Sequence, residues 1–208
     1  MTNSFQGFNL SPCLTCLPPE AALPKSAKIE EIIEKGAFME YTPNEPRGHA
    51  VTSDPYFTLM ANDDGEGFVH CGDGVLIVPV TPDSQVIMAV ERSAAFDRDV
   101  LIVAGGEVEA GEPLETTANR ELQEELGWRA QRIDYLGEIH LFKYLTSRQF
   151  VFLARDLVPS KLVGDERYPV GARSIHLDSY IDLCASGDLQ DAPSIAALCL
   201  ARHFLQKE

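Results

Sequence analysis

Residues 106–128, GEVEAGEPLETTANRELQEELGW, decide the fold. Their second half predicts a helix over residues 114–126 that stops at Gly127. On that helix the spacing i, i+3 and i+4 places three carboxylates on one face: Glu121, Glu124 and Glu125. Like charges this close repel one another unless a cation compensates, and carboxylate oxygens are the ligands that Mg²⁺ and Mn²⁺ prefer.

The loop before this helix supplies partners for the acidic face. Arg120 can orient a neighbouring carboxylate through a bidentate ion pair, and Glu112 can enter from the loop to hold Arg120. Gly106 and Gly111 allow the backbone to turn sharply and to approach the helix. The backbone carbonyl of Gly105 is then a candidate for a further metal ligand.

The alternative is that R-E-L-x-E-E-L is an ordinary solvated helix face, which is common for such a segment alone. The whole stretch, however, matches G-x5-E-x7-R-E-U-x-E-E-x-G-U, where U is a bulky apolar residue. Seven fixed positions would coincide by chance with a probability of roughly 10⁻⁸ per starting position. The chain therefore resembles the Nudix hydrolases, and residues 106–128 are called the box below. Trp128 stands where an aliphatic residue is usual, and we expect it to pack.

Segments outside the box resemble the ADP-ribose pyrophosphatase branch of that family, and most of all the bacterial ADP compounds hydrolases. They are residues 74–81, 90–92, 143–148, 154–159 and 164–166. A proline that relatives in this branch often carry downstream of the box is missing from residues 141–144. Tyr144 fits the tyrosine of diadenosine polyphosphate hydrolases only loosely, so ADP-ribose, NADH and diadenosine compounds all stay open as substrates.

The resemblance implies a role for each matching residue. The catalytic metals, Mg²⁺ or Mn²⁺, would be bound by Glu121, Glu124, Glu125 and the Gly105 carbonyl, with Arg120 and Glu112 as further catalytic residues.

Two more residues receive roles from the resemblance. Arg92 would contact the diphosphate of the substrate, and its alternative is a surface ion pair. Glu166 would be the loop carboxylate that helps to bind metal or activates water, with Asp165 as the competing candidate. The alternative for Glu166 is an ordinary exposed loop acid.

The resemblance also implies an α+β fold, the Nudix α/β/α sandwich with a mixed sheet. The implied reaction cleaves a nucleoside diphosphate linked to another group into a nucleoside monophosphate and a phosphorylated remainder. A homodimer that pairs through its N-terminal strands is expected. Two other functions are weighed: a non-catalytic nucleotide sensor, which would be expected to lack box glutamates, and an RNA 5′-end pyrophosphohydrolase, which would need basic surface.

Composition restricts the function further. The 208 residues carry a net charge of −15, which opposes binding to nucleic acid but suits a metal–phosphate site. The alternative is that this charge only confers solubility. No segment approaches the ~18 consecutive apolar residues of a membrane span, and no signal peptide is recognisable, so the cytoplasm is the expected location.

The five cysteines do not suggest a disulfide framework, because their number is odd and their positions are scattered. Cys13 and Cys16 form a CxxC, which His70 and Cys71 could complete as a zinc site. The alternative is a reduced pair in a loose N-terminal segment.

Local patterns divide the chain into an N-terminal extension, residues 1–70, and a Nudix domain, residues 71–208. The extension is expected to contain an irregular tail over 1–24, a helix over 26–35 and weak strands over 37–68 that could form a small antiparallel subdomain. In the Nudix domain, runs 75–80 and 86–90 predict a hairpin, and strands are predicted at 101–104, 150–154 and 175–177. Helices are predicted at 178–185 and from Pro193 onwards.

Overall fold

The computed structural model describes residues 41–43, 48–53, 57–164 and 169–208. These residues form ten strands: β1 His49–Ser53, β2 Phe57–Ala61, β3 Gly67–Cys71, β4 Gly74–Pro79, β5 Gln85–Ser93, β6 Arg98–Ile102, β7 Ala104–Glu107, β8 Trp128–His140, β9 Arg148–Pro159 and β10 Gly171–His176. Their helices are α1 Leu114–Glu121, α2 Tyr180–Ser186 and α3 Ala192–Leu205, with a π-helical turn at Leu122–Leu126 and a 3-10 turn at Leu177–Ser179. None of the helices in these ranges is long and apolar enough to cross a membrane.

The described strands form three sheets. The central sheet has the order β7-β4-β9-β8 and is mixed, because β4 and β9 run parallel while the other pairs are antiparallel. A second sheet, β10-β5-β6, and a third, β1-β2-β3, are antiparallel throughout. The α+β class with a mixed sheet is confirmed.

The α/β/α layering follows from the alternation of side chains along β4. Val75 and Ile77 pack into an apolar cluster with Leu114 of α1. Val78 points to the opposite face, where it belongs to a cluster with Leu198 of α3. Because nearly all of β4 is buried between the two clusters, its sequence is continuously apolar.

The predicted hairpin between residues 75–80 and 86–90 is wrong. The strands β4 and β5 lie in different sheets and meet only at an isolated bridge between Val80 and Val86. Both runs are apolar throughout, so they have no alternation that would indicate which strand pairs with which. A short turn between two such runs therefore permits a crossing from one sheet to another as well as a hairpin.

The strand predicted at 101–104 is divided at Val103, where the chain leaves β6 for β7 in the central sheet. The N–H of Val103 donates to the Oγ of Ser194, 2.9 Å away. Ser194 is fully buried, and its hydroxyl donates to Asp191, the N-cap of α3, over 2.6 Å. The N-terminus of α3 is thereby fixed to the point where the chain changes sheets.

The other predictions in the second half of the chain are largely confirmed. The strands at 150–154 and 175–177 fall in or at the end of β9 and β10, and the last two helices are α2 and α3. The strand β8 was not predicted, although it is thirteen residues long. Its side chains are mostly half-buried or exposed, and a register shift between Tyr135 and Gly137 interrupts its alternation.

The N-terminal predictions fall only partly within the described residues. Residues 1–40 lie outside the described residues, and with them the predicted tail, the predicted helix at 26–35 and the pair Cys13 and Cys16. Within 37–68 the described residues do form antiparallel strands, which β3 completes into a sheet. The boundary between an extension 1–70 and a domain 71–208 stays a prediction.

Candidate functional site

The box helix differs from the sequence prediction in its last turn. The helix is α-helical only to Glu121, and residues Leu122–Leu126 form a π-helical turn. Gly127 ends it with a φ of +74°, a left-handed conformation that glycine adopts without strain, and its N–H donates to the carbonyl of Leu122. Single π-helical turns occur often at functional sites, and this one carries Glu124 and Glu125.

Arg120 holds the acidic face together. Its Nε and Nη2 donate to the Glu112 carboxylate at 3.2 and 3.0 Å. Its Nη1 donates to Glu121 at 2.6 Å and to Glu124 at 3.4 Å, while Nη2 also reaches the Glu107 carbonyl at 3.2 Å. The predicted contact between Arg120 and Glu112 is therefore present, and one guanidinium serves three carboxylates.

The electrostatics of this group favour its charged form. Burial opposes ionisation of Glu112, but the hydrogen bonds from Arg120 and Thr117 outweigh burial and hold the pKa of the Glu112 carboxyl below its usual value. The hydrogen bond to Glu112, together with the attraction of Glu121, raises the pKa of the Arg120 guanidinium. Thr117 is fully buried, and its hydroxyl donates to Glu112 over 2.8 Å.

Two glycines allow the strand β7 to approach the box helix closely. A Cβ added at Gly106 would lie 2.2 Å from the carboxyl carbon of Glu121, so any other residue there would displace that carboxylate from its present position. The N–H of Gly105 donates to both oxygens of Glu125, at 3.3 and 3.4 Å. Glu121 and Glu125 are 6% and 4% exposed, which means that two carboxylates are buried against the backbone of β7.

The donor chemistry of this group fits a divalent cation. Three carboxylates on one turn provide hard oxygen ligands, and two of them, those of Glu121 and Glu125, are buried. In the described part of the chain, no three His, Cys, Asp or Glu side chains converge into a ready metal cage. The reason is visible in the contacts: Glu121 and Glu124 are drawn to Arg120, and Glu125 to Gly105. A metal ion would compete with Arg120 for these oxygens.

A cavity of about 380 Å³ opens on the same stretch of β7. Its wall includes Gly105, Gly106 and Glu107 of β7, Glu91 of β5, and Asp191 at the start of α3. None of the three helix glutamates is among the described residues that line this cavity; two of them, Glu121 and Glu125, lie against Gly106 and Gly105, which do line it. The cavity is large enough for a diphosphate group and part of what it carries.

One predicted site residue, Arg92, lies apart from this centre, and another is outside the described residues. Arg92, near the end of β5, is exposed and forms ion pairs with Asp97 and Asp99, the latter at 3.9 Å. Its neighbour Glu91 lines the cavity instead. Glu166 and its competitor Asp165 lie outside the described residues.

Sequence reasoning missed several residues that support the site. Thr117 occupies an unspecified position of the box, and its only signal is its placement one turn before Arg120. Asn119 holds the helix to β8, because its amide accepts from the Ala130 N–H at 2.9 Å and donates to the Ala130 carbonyl. Trp128 packs against the apolar cluster below the helix, as expected.

Comparisons with known proteins agree with these features. Residues 72–197 match the NUDIX domain. The chain is 31% identical to the ADP compounds hydrolase NudE of Escherichia coli (strain K12) over 135 aligned residues. The alignment covers 64% of this chain and 72% of that protein. The chain is 29% identical over 127 residues to the ADP-ribose pyrophosphatase of Bacillus subtilis (strain 168), spanning 60% and 69%. A crystal structure of an ADP compounds hydrolase superposes with a TM-score of 0.66 at 27% identity, covering 80% of this chain and 96% of that one.

Replacement of Arg120 by methionine tests the shared ion pairs. Arg120→Met leaves three neighbouring carboxylates without their common cation and should lower the free energy of unfolding by about 3 kcal/mol, the low end for a buried pair because the Arg120 side chain is 23% exposed. Because a divalent cation can replace the lost charge, added Mg²⁺ should raise the melting temperature of Arg120→Met more than that of the wild type. The measurement is thermal unfolding with and without Mg²⁺.

The control is Arg132→Met, which removes an arginine whose side chain is 50% exposed and pairs with Asp134 and Glu208. Such an exposed pair should contribute less than about 1 kcal/mol, and its removal should leave the response to Mg²⁺ unchanged. Equal Mg²⁺ responses in Arg120→Met and Arg132→Met would contradict the prediction.

Proposed function

Because this chain belongs to the Nudix hydrolase family, we propose that it is a metal-dependent pyrophosphohydrolase whose substrate is an ADP-linked compound. The observation that carries the proposal is the set of contacts around β7, where the carboxylates of Glu121 and Glu125 lie against Gly106 and Gly105 beside the cavity. The products would be a nucleoside monophosphate and a phosphorylated remainder.

The proposed metal ligands are Glu121, Glu124, Glu125 and the carbonyl of Gly105. A divalent cation bound there neutralises charge on a diphosphate and lowers the pKa of a water molecule. Glu112 and Thr117 keep Arg120 in place, and Arg120 in turn orients Glu121 and Glu124 through its ion pairs with them. The buried carboxylates of Glu121 and Glu125, held in place by these contacts, are also suited to accept the proton of the attacking water.

The substrate class is supported by the relatives, whose names state hydrolysis of ADP compounds and of ADP-ribose. The charge of the cavity wall supports the same class. Glu91, Glu107 and Asp191 add negative charge beside the box, so each further phosphate on a substrate adds repulsion. A diphosphate with a neutral group on each side suits this wall better than a nucleoside triphosphate does. Binding of the diphosphate by Arg92 and a role for Glu166 are retained as proposals.

The variant Glu125→Gln tests the proposed metal site. It removes one charge without changing size, and its amide oxygen can still accept from the Gly105 N–H, so the fold should survive. The rate should fall about 10²-fold or more, because a few kcal/mol of transition-state stabilisation is lost. Wild-type activity should also disappear on treatment with EDTA.

The matched control is Glu109→Gln, since Glu109 is an exposed acid in the loop of the same box. Steady-state kinetics with Mg²⁺ or Mn²⁺ should show wild-type rates for this control. Retention of more than about a tenth of the wild-type rate by Glu125→Gln would exclude Glu125 as a metal ligand.

A panel of substrates tests the substrate class. The panel contains ADP-ribose, NADH, diadenosine triphosphate and nucleoside diphosphate sugars. With Mg²⁺ or Mn²⁺, kcat/KM should be highest for one of the first three compounds. Triphosphates such as ATP and dGTP should be poorer by about tenfold, because the extra charge meets the acidic wall. A triphosphate that exceeds every ADP-linked compound would overturn the proposed substrate and leave the metal chemistry intact.

We further propose that the chain is a homodimer that uses the sheet β1-β2-β3. One face of β2 is exposed and apolar: Phe57 and Leu59 are 51% and 39% exposed, whereas Met60 on the other face is buried. Light scattering at micromolar concentration should give about 46 kDa, twice 22.9 kDa. Leu59→Lys should shift the mass towards that of the monomer, while the control Ile181→Lys, at an exposed position of α2, should not. A wild-type mass of one chain would rule out the dimer.

A further inference from the structure

The segment Ser160–Lys161–Leu162, directly after β9, is bound to the end of the box helix. The N–H of Ser160 donates to the Gly127 carbonyl at 2.8 Å, and the N–H of Leu162 donates to the Gln123 carbonyl at 3.2 Å. The Lys161 ammonium donates to the carbonyls of Glu124 and Glu125, the latter at 3.2 Å. Three consecutive residues thus donate hydrogen bonds to four carbonyls, those of Gln123, Glu124, Glu125 and Gly127.

These contacts supply hydrogen-bond donors to carbonyls at the end of the helix. The last carbonyls of a helix have no partner within it, and a lysine near that end also interacts favourably with the helix dipole. In addition, the amide of Gln123 donates to the Ser160 hydroxyl at 2.8 Å. The backbone of the π-helical turn is therefore fixed from outside, along most of its length.

Gly127 lies directly beneath the side chain of Lys161. A Cβ added there would lie 3.3 Å from Cδ of Lys161, so the aliphatic part of the lysine crosses the helix end directly over the glycine. Gly127 ends the turn at positive φ, and a side chain in its place would slightly crowd the stem of Lys161.

We propose that Lys161 is a positioning residue that holds the π-helical turn, and with it the carboxylates of Glu124 and Glu125, in the arrangement that binds a divalent cation. The inference rests on the proposed function of these glutamates. Lys161 acts through the backbone carbonyls of these residues, whereas Arg120 contacts carboxylates directly. The carbonyls of Glu124 and Glu125 belong to the same residues as the proposed ligands, so a shift of this backbone moves both side chains.

The experiment measures Mn²⁺ binding to the full chain without substrate, by the electron paramagnetic resonance signal of free Mn²⁺. Lys161→Met keeps the aliphatic stem and removes the ammonium, and it should weaken Mn²⁺ binding about tenfold or more, the usual effect of losing a group that orients metal ligands. Lys161→Arg retains donors for the carbonyls and should restore binding to within about threefold of the wild type. The control is Lys207→Met, an exposed lysine near the C-terminus.

The melting temperature of each variant is recorded in parallel, because a merely structural role would lower it without a selective loss of Mn²⁺ affinity. Equal affinities in Lys161→Met and Lys207→Met would overturn the inference and leave the proposed function standing. A wild-type chain that binds no Mn²⁺ would overturn the proposed metal site itself. Should Lys161→Met not fold, Lys161→Gln, which is shorter and uncharged, takes its place; a clear loss of Mn²⁺ affinity relative to Lys207→Met supports the inference, and unchanged affinity overturns it.

Discussion

The mutual repulsion of the box glutamates is the constraint on which the site depends. Glu112, Glu121 and Glu124 share one guanidinium, and Glu125 is removed from the group by the N–H of Gly105. Burial makes the repulsion between these carboxylates more costly, because a carboxylate with little access to water needs a cation or several hydrogen-bond donors. The glycines of β7 follow from the same requirement: a side chain at Gly106 would occupy the position of the Glu121 carboxylate.

The layering of the fold positions this group. The strand β4 separates two apolar clusters, with the box helix on one side and α3 on the other. The strand β7 pairs with β4 at the edge of the central sheet, and its glycines face the helix while the cavity opens beside them. The buried contact of Val103 with Ser194 fixes the entry into β7, and the carbonyl of Asp73 accepts the N–H of Val108 just after β7. Both ends of the glycine strand are thus anchored.

The box could be predicted from the sequence because its chemistry requires fixed residue types at fixed distances along one helix and its loop. The contact between Arg120 and Glu112 follows from those distances. Pairing of the strands could not be predicted in the same way: β4 and the start of β5 are apolar throughout, so nothing in the sequence distinguishes a hairpin from a change of sheet. The strand β8 was missed because its residues are mostly half-buried or exposed. Lys161 lies far from the box in sequence, and its contact with the helix end depends on the tertiary fold.

The charge of the site connects the acidity of the whole chain with its chemistry. Four carboxylates and one guanidinium, from Glu112 to Glu125, leave the centre formally at −3. A diphosphate is repelled by such a centre, and the cavity wall adds Glu91, Glu107 and Asp191 to the repulsion. One divalent cation would reduce the centre to about −1 and two would make it about +1, so the centre itself attracts a diphosphate only once two cations are bound. The net negative charge of the chain opposes binding to nucleic acid. The same charge is consistent with a phosphate-binding site, provided that metal ions supply the positive charge.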